Sequence, residues 1–86
     1  MASYEIEVSR SAERQLRELP RNEQERIVQA ILPLARNPHP RGARKLSGYG
    51  DVLRVRVGHY RILYSVAGAT LVITILKIGH KRDVYR

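Results

Sequence analysis

Residues 53–64 read Leu-Arg-Val-Arg-Val-Gly-His-Tyr-Arg-Ile-Leu-Tyr, with apolar and polar side chains alternating on both sides of Gly58-His59. A period of two marks a strand with one buried face, and two such runs joined by a Gly-led pair predict a β-hairpin with a type II′ loop. That loop pairs Val57 with Tyr60, Arg56 with Arg61, Val55 with Ile62 and Arg54 with Leu63. Leu53, Val55, Val57, Tyr60, Ile62 and Tyr64 then face a core, and Arg54, Arg56 and Arg61 face away from it. Like charges directly opposite each other destabilise a sheet by a few tenths of a kcal/mol to about 1 kcal/mol. An anion held between Arg56 and Arg61 accounts for their pairing.

The charge of the chain is concentrated in the same half. Residues 1–40 carry six Arg against six Glu, whereas residues 41–86 carry ten basic residues against Asp51 and Asp83, the entire net charge of +8. A neutral half joined to a basic half points to a polyanionic partner, nucleic acid before an acidic protein or a membrane surface. The competing reading is a surplus that serves only solubility.

A chain of 86 residues fits one domain, residues 1–86, with a core of modest size. It has no cysteine, so disulfides and thiolate chemistry are excluded. Residues 1–8 hold two Glu and no apolar run, unlike a signal peptide. The longest apolar run, residues 71–76, is too short to span a bilayer. A soluble cytoplasmic protein without membrane partners is expected.

The other elements follow from local pattern. Tyr4-Glu-Ile-Glu-Val8 alternates and predicts a strand with Tyr4, Ile6 and Val8 inward. Ser9 is placed to cap a helix over residues 10–19, with Ala12, Leu16 and Leu19 on its apolar side and Glu13 and Arg17 one turn apart. After Pro20 a second helix is expected from about Asn22, with Glu25 completing a capping box and Ile27, Val28, Ile31, Leu32 and Ala35 as its stripe. Pro33 should bend that helix or end it in a 3₁₀ turn. Residues 36–51, rich in Pro, Gly and basic side chains, read as a loop with a short strand near 44–46. A turn at Ala67-Gly-Ala69 leads into a last strand over 70–78, apolar on both faces and therefore central, with cover on both sides. The whole is α+β: a small, mostly antiparallel sheet, made of an N-terminal strand and a C-terminal three-strand meander, with a helix hairpin on one side.

Several chemistries can be set aside. His39, His59 and His80 stand far apart without a second ligand at metal-binding spacing. His39 and His59 read as exposed loop residues. Gly48-Tyr-Gly50 lacks the spacing of a phosphate-binding loop. The basic half has no paired carboxylates. What remains is Arg54, Arg56, Arg61, His80, Lys81, Arg82 and Tyr85, a cationic set with one imidazole and one phenol.

These residues carry a resemblance. The hairpin run 53–64, a buried strand and Ile78-Gly-His-Lys-Arg-Asp-Val-Tyr-Arg86, in the order strand, helix hairpin, loop and three strands, closely resemble the RelE branch of the RelE/ParE toxin superfamily of toxin-antitoxin systems. The resemblance covers nearly the whole chain. It implies a metal-independent endoribonuclease, needing no cofactor, that enters the ribosomal A site and cuts mRNA. The ribose 2′-OH attacks the adjacent phosphate and leaves a 2′,3′-cyclic phosphate. It also implies a RelB-like antitoxin that covers the basic face in a hetero-oligomer.

Carried over by position, Arg54 and Arg56 match the basic pair before the hairpin turn and Arg61 the arginine after it. Lys81, with His80 beside it, matches a basic residue near the C-terminus, and Tyr85 the C-terminal tyrosine. Well-known members have Lys where this chain has Arg54 and Arg56, and a longer spacing before the tyrosine. Arg41, Arg44, Lys45 and Arg82 are expected to touch RNA or the ribosome. A guanidinium stays protonated, so no arginine can serve as general base. An ordinary imidazole titrates near pH 6.5 and an ordinary phenol near pH 10, which favours His80 for proton transfer and leaves Tyr85 to stack on a base. The alternatives are a ParE-like gyrase inhibitor of the same fold without catalysis, and an inactive relative that docks an acidic partner.

Overall fold

The computed structural model describes residues 3–80. In chain order the elements are β1 (Glu5–Val8), α1 (Arg10–Arg17), α2 (Arg21–Ile31), a 3₁₀ turn (Leu32–Ala35), β2 (Arg44–Lys45), β3 (Val52–Val57), β4 (Tyr60–Ala67) and β5 (Val72–His80). They form one five-stranded sheet in the order β1-β5-β4-β3-β2. β1 runs parallel to β5, and the other neighbours are antiparallel. This is the expected α+β arrangement, with the short strand of the loop added at the edge.

The hairpin forms in the predicted register, from Val57 opposite Tyr60 to Arg54 opposite Leu63. Gly58 takes φ 60°, while Leu71 is the only non-glycine residue described with positive φ. A positive φ at the first loop position alone is the type II′ signature.

Ser9 caps α1 as expected. Its Oγ accepts from the Ala12 N–H at 3.1 Å and donates to the Leu76 carbonyl at 3.0 Å. Glu13 and Arg17 pair at 2.9 Å on the exposed side. The helix stops at Arg17 rather than at residue 19, and the Gln24 amide closes the gap by donating to the Leu19 carbonyl at 2.8 Å. The expected capping box of Asn22 and Glu25 does not form. Pro20 is the N-cap, its carbonyl accepting from the N–H groups of Glu23 and Gln24, so Asn22 already lies inside the helix. Proline presets a φ compatible with helix entry and has no N–H to satisfy.

Pro33 acts as predicted: α2 ends at Ile31 and a 3₁₀ turn follows. Leu34 continues the stripe of Ile27 and Ile31 at the ordinary helical spacings of four and three, while Leu32, one residue past Ile31, lies about 100° further round the axis. Leu34 is 1% exposed and Leu32 is 56% exposed, a correction to the expected stripe.

The core lies between the helices and one sheet face: Ala12, Ile27, Ile31 and Leu34 pack with Leu53, Ile62, Tyr64, Ile73, Ile75 and Ile78. Val8, expected inward, shares the core face with its partner Ile75 but remains 40% exposed, because it ends an edge strand just before the chain turns into α1. The last strand starts at Val72, since residues 68–71 form the turn and Leu71 adopts φ 57°. β5 is central as predicted, but its two-sided apolar pattern has another origin than cover on both faces. Leu63 faces Lys77 while Tyr64 faces Ile75, so Leu76 is an extra residue, a β-bulge. Ile73, Ile75 and Ile78 thereby share the core face despite their uneven spacing.

Candidate nucleic-acid interface

Among the described residues no helix covers the other sheet face, which gathers the cations. Directly opposed residues project to the same side of a sheet, and the register sets Arg44 opposite Arg54, Arg54 opposite Leu63, and Leu63 opposite Lys77. The next rung runs Arg56, Arg61, Gly79. Five cationic side chains, Arg44, Arg54, Arg56, Arg61 and Lys77, therefore share one face over four strands. Leu63, 7% exposed and outside the main core cluster, forms an apolar floor between Arg54 and Lys77. Glu5 and Glu7 take the far edge of the same face through their partners Val72 and Thr74, leaving the hairpin end free of carboxylates among the residues just described.

The structure thus brings together Arg54, Arg56 and Arg61 and adds Arg44 from the expected RNA-binding group. It separates Lys45, which faces Leu53 and belongs to the opposite side, where a pocket of about 380 Å³ is lined by Tyr4, His39, Lys45, Asp51 and Leu53 among others. Arg41 is exposed in the loop before β2. His80 ends β5 opposite Tyr60, on the helix side of the sheet, and reaches the arginine rows only from the rim. Lys81, Arg82 and Tyr85 lie outside the described residues.

Two contributors were not anticipated. Lys77 sat within an apolar run, and only the bulge turns it to the cationic face. His59, read as a loop residue, stacks on His80 with ring centroids 6.2 Å apart and planes within 11°. Its place immediately after the turn glycine was the available signal, since the hairpin register aims that turn at the end of β5.

The loop carrying Arg41 and Arg44 is anchored from below. Tyr64, fully buried, donates its hydroxyl hydrogen to the Pro38 carbonyl at 2.7 Å. Burial pushes the phenol up to about 12.

The model of the ParE toxin of the type II toxin-antitoxin system parDE matches residues 6–85. The chain belongs to the RelE/ParE toxin superfamily. It is similar to a chain of the archaeal RelE–RelB complex from Pyrococcus horikoshii OT3, with a TM-score of 0.82 and 31% identity over 94% of this chain and 98% of that one. A chain of the Mycobacterium tuberculosis RelBE2 toxin-antitoxin complex gives 0.81 and 27%, covering 93% of this chain and all of that one. The isolated E. coli RelE toxin shares the fold, at a TM-score of 0.80, 21% identity and coverage of 96% and 92%.

For a toxin of this superfamily the cationic face offers a defined chemistry. Guanidinium groups present planar, bidentate donors that match phosphate oxygens and stay charged at any working pH. They can bind a phosphodiester and stabilise charge that grows on it, and they cannot remove a proton. Among the described residues no three His, Asp or Glu side chains converge on a common point where a metal could be held.

Proposed function

We propose that the chain is a RelE-type toxin that cuts mRNA on the ribosome. The observation that carries this reading is the sheet face, without a helix over it among the described residues, on which Arg44, Arg54, Arg56, Arg61 and Lys77 are in register around Leu63. In the reaction the 2′-oxygen bonds to phosphorus, the bond to the 5′-oxygen breaks, and the products are a 2′,3′-cyclic phosphate and a 5′-hydroxyl. The pentacoordinate species between them carries more negative charge than the diester, so fixed cations on its oxygens lower the barrier. One such donor is typically worth roughly 3 to 4 kcal/mol. Arg56 and Arg61 hold the scissile phosphate, with Arg54 and Lys77 on the adjoining rung. Leu63, between Arg54 and Lys77, gives that rung an apolar floor. Proton transfer falls to His80, at the rim, or to Tyr85, with Lys81 next to His80 in the chain. Arg41, Arg44 and Arg82 contact RNA backbone on the ribosome, and Lys45, on the opposite side, does so only where RNA wraps the β2 edge.

Solved relatives in complex with RelB support a RelB-like antitoxin for this chain, bound as a hetero-oligomer. Covering the cationic face would mask the activity, and the association should weaken with salt.

The second reading, inhibition of DNA gyrase without catalysis, is favoured by the family model, which bears the name of ParE. Brief expression of the chain, followed by mapping of mRNA 5′ ends on ribosomes alongside an assay for DNA breaks, separates the two. Ribosome-phased cuts without DNA damage support the nuclease. DNA breaks with intact mRNA support the gyrase reading and overturn the first.

A further inference from the structure

The tip of the β3–β4 hairpin carries three rings in contact. His59 and His80 stack at 6.2 Å, and Tyr60 meets His80 edge-on at 6.1 Å with planes 76° apart. Both imidazoles are exposed, while Tyr60 is half-buried and packed against the core. Burial does not account for the arrangement, because exposed rings remove little apolar area from water. Gly58 turns at φ 60°, and the Arg26 guanidinium from α2 fills the space beside it, where a Cβ would come within 2.8 Å of Nη2. The Tyr60–His80 rung is the next beyond Arg61–Gly79, a step of about 3.3 Å along the strand.

We propose that His59, with His80 and Tyr60, forms a stacking platform for one nucleobase of single-stranded RNA, next to the phosphate gripped by Arg56 and Arg61. The inference rests on the RNA-cleaving reading and adds a subsite to it. Single-stranded RNA is bound by cations that track its backbone and by flat rings, histidine included, on which splayed bases stack. Here the two kinds of group stand on successive rungs. A strand crossing the hairpin end leaves its phosphate on the cationic face and carries the attached base past the end of the sheet onto the rings. Every base has a π face, so the platform orients the nucleotide and adds affinity without selecting base identity.

The test uses the full chain, free of antitoxin, and a short single-stranded RNA containing 2-aminopurine, whose fluorescence is quenched by stacking. His59→Ala should weaken binding about tenfold and abolish the quenching, while the dependence of log Kd on log salt keeps its slope because the phosphate contacts are intact. His59→Phe, which keeps a flat ring and loses the basic nitrogens, should restore both. Arg56→Ala should instead lower the salt slope by about 0.7. Unchanged affinity and quenching in His59→Ala overturn the platform, as does His59→Phe behaving like His59→Ala, which would assign His59 a proton or charge role. Thermal unfolding by circular dichroism verifies that each variant is folded. A chain that cuts ribosome-bound mRNA but is indifferent to His59 loses the platform and keeps the nuclease reading. One that binds RNA through His59 without cutting keeps the platform and loses the nuclease. A chain that does neither overturns both.

Discussion

Replacing Tyr64 by Phe removes one oxygen from the centre of the molecule and separates two effects by pH. The hydroxyl is fully buried and donates to the Pro38 carbonyl at 2.7 Å, in a proline that is itself buried. At pH 7 the variant loses that bond and strands the carbonyl, a cost of about 1 to 3 kcal/mol. In alkali the comparison changes. The folded-state value is raised from 10.0 to about 12, so above pH 10 the unfolded chain ionises this tyrosine while the folded chain keeps it neutral. The native state then binds the extra proton, and stability falls as pH rises, by about 1.36 kcal/mol per unit. The contribution is complete well below pH 10, and about 2 kcal/mol of it is lost by pH 12. Urea denaturation followed by circular dichroism at pH 7, 10 and 11.5 measures both proteins, and alkaline effects of the other tyrosines and the lysines cancel in the difference. The wild type should be the more stable at pH 7, and its advantage should vanish or reverse at the top of the range. A constant difference across all three pH values would refute the argument, because the hydroxyl would then titrate alike in both states.

Arg61→Ala should reduce cleavage of ribosome-bound mRNA a hundredfold or so, read by 5′-end mapping, with the fold retained in circular dichroism; full activity would remove the cationic face from the chemistry. Gly58→Ala should destabilise the chain by about 1 to 2 kcal/mol, because an L residue is forced to φ 60°. The approach to Arg26 adds little, since that long side chain can swing away, so Arg26→Ala should not rescue the variant in urea denaturation. Gln15→Ala should cost about 1 to 3 kcal/mol, since the Ile78 N–H donates to the Gln15 Oε1 at 2.8 Å; a neutral result would mean that water replaces the side chain. Affinity for a RelB-like antitoxin, measured by calorimetry, should fall as salt rises from 50 to about 500 mM, and indifference to salt would exclude the cationic face from that interface.

The hairpin was legible because its signals are local: strict alternation, a turn glycine at the required position, and side chains that must project alternately. Pro33 was legible for the same reason, as a missing donor cannot be compensated within a helix. What escaped depends on contacts distant in sequence. The capping box at Asn22 and Glu25 fits the local rule, yet Pro20 is held by the turn from α1 and starts the helix earlier. The exposure of Leu32 reflects where the stripe is centred, on Ile27, Ile31 and Leu34, which the sheet packed beneath them decides. Lys77 and His59 were missed because their surroundings are set by a bulge in one strand and by the end of another. Of the expected site residues the arginine cluster could be read from parity alone, whereas the division of Arg44 from Lys45 needed the register of β2 on β3.

That bulge joins the two halves of the chain. Between Ile75 and Ile78 stand two residues where alternation on one face allows one, so without the extra residue Lys77 would have pointed into the core with Ile73 and Ile75. β1 ends opposite Ile75, and beyond it the main chain of β5 faces no further strand on that side among the described residues. α1 takes over there: the Ser9 N–H donates to the Ile75 carbonyl at 3.0 Å, its hydroxyl to the Leu76 carbonyl, and the Gln15 side chain accepts from the Ile78 N–H. Buried main-chain groups left without partners are costly, so these three bonds let the bulge persist in a central strand. The neutral N-terminal half therefore fixes the segment of β5 that delivers Lys77 to the arginines and carries His80 to the rim. The neutral half braces this surface through Ser9 and Gln15, while the cations that would bind an anion on it all lie in the basic half.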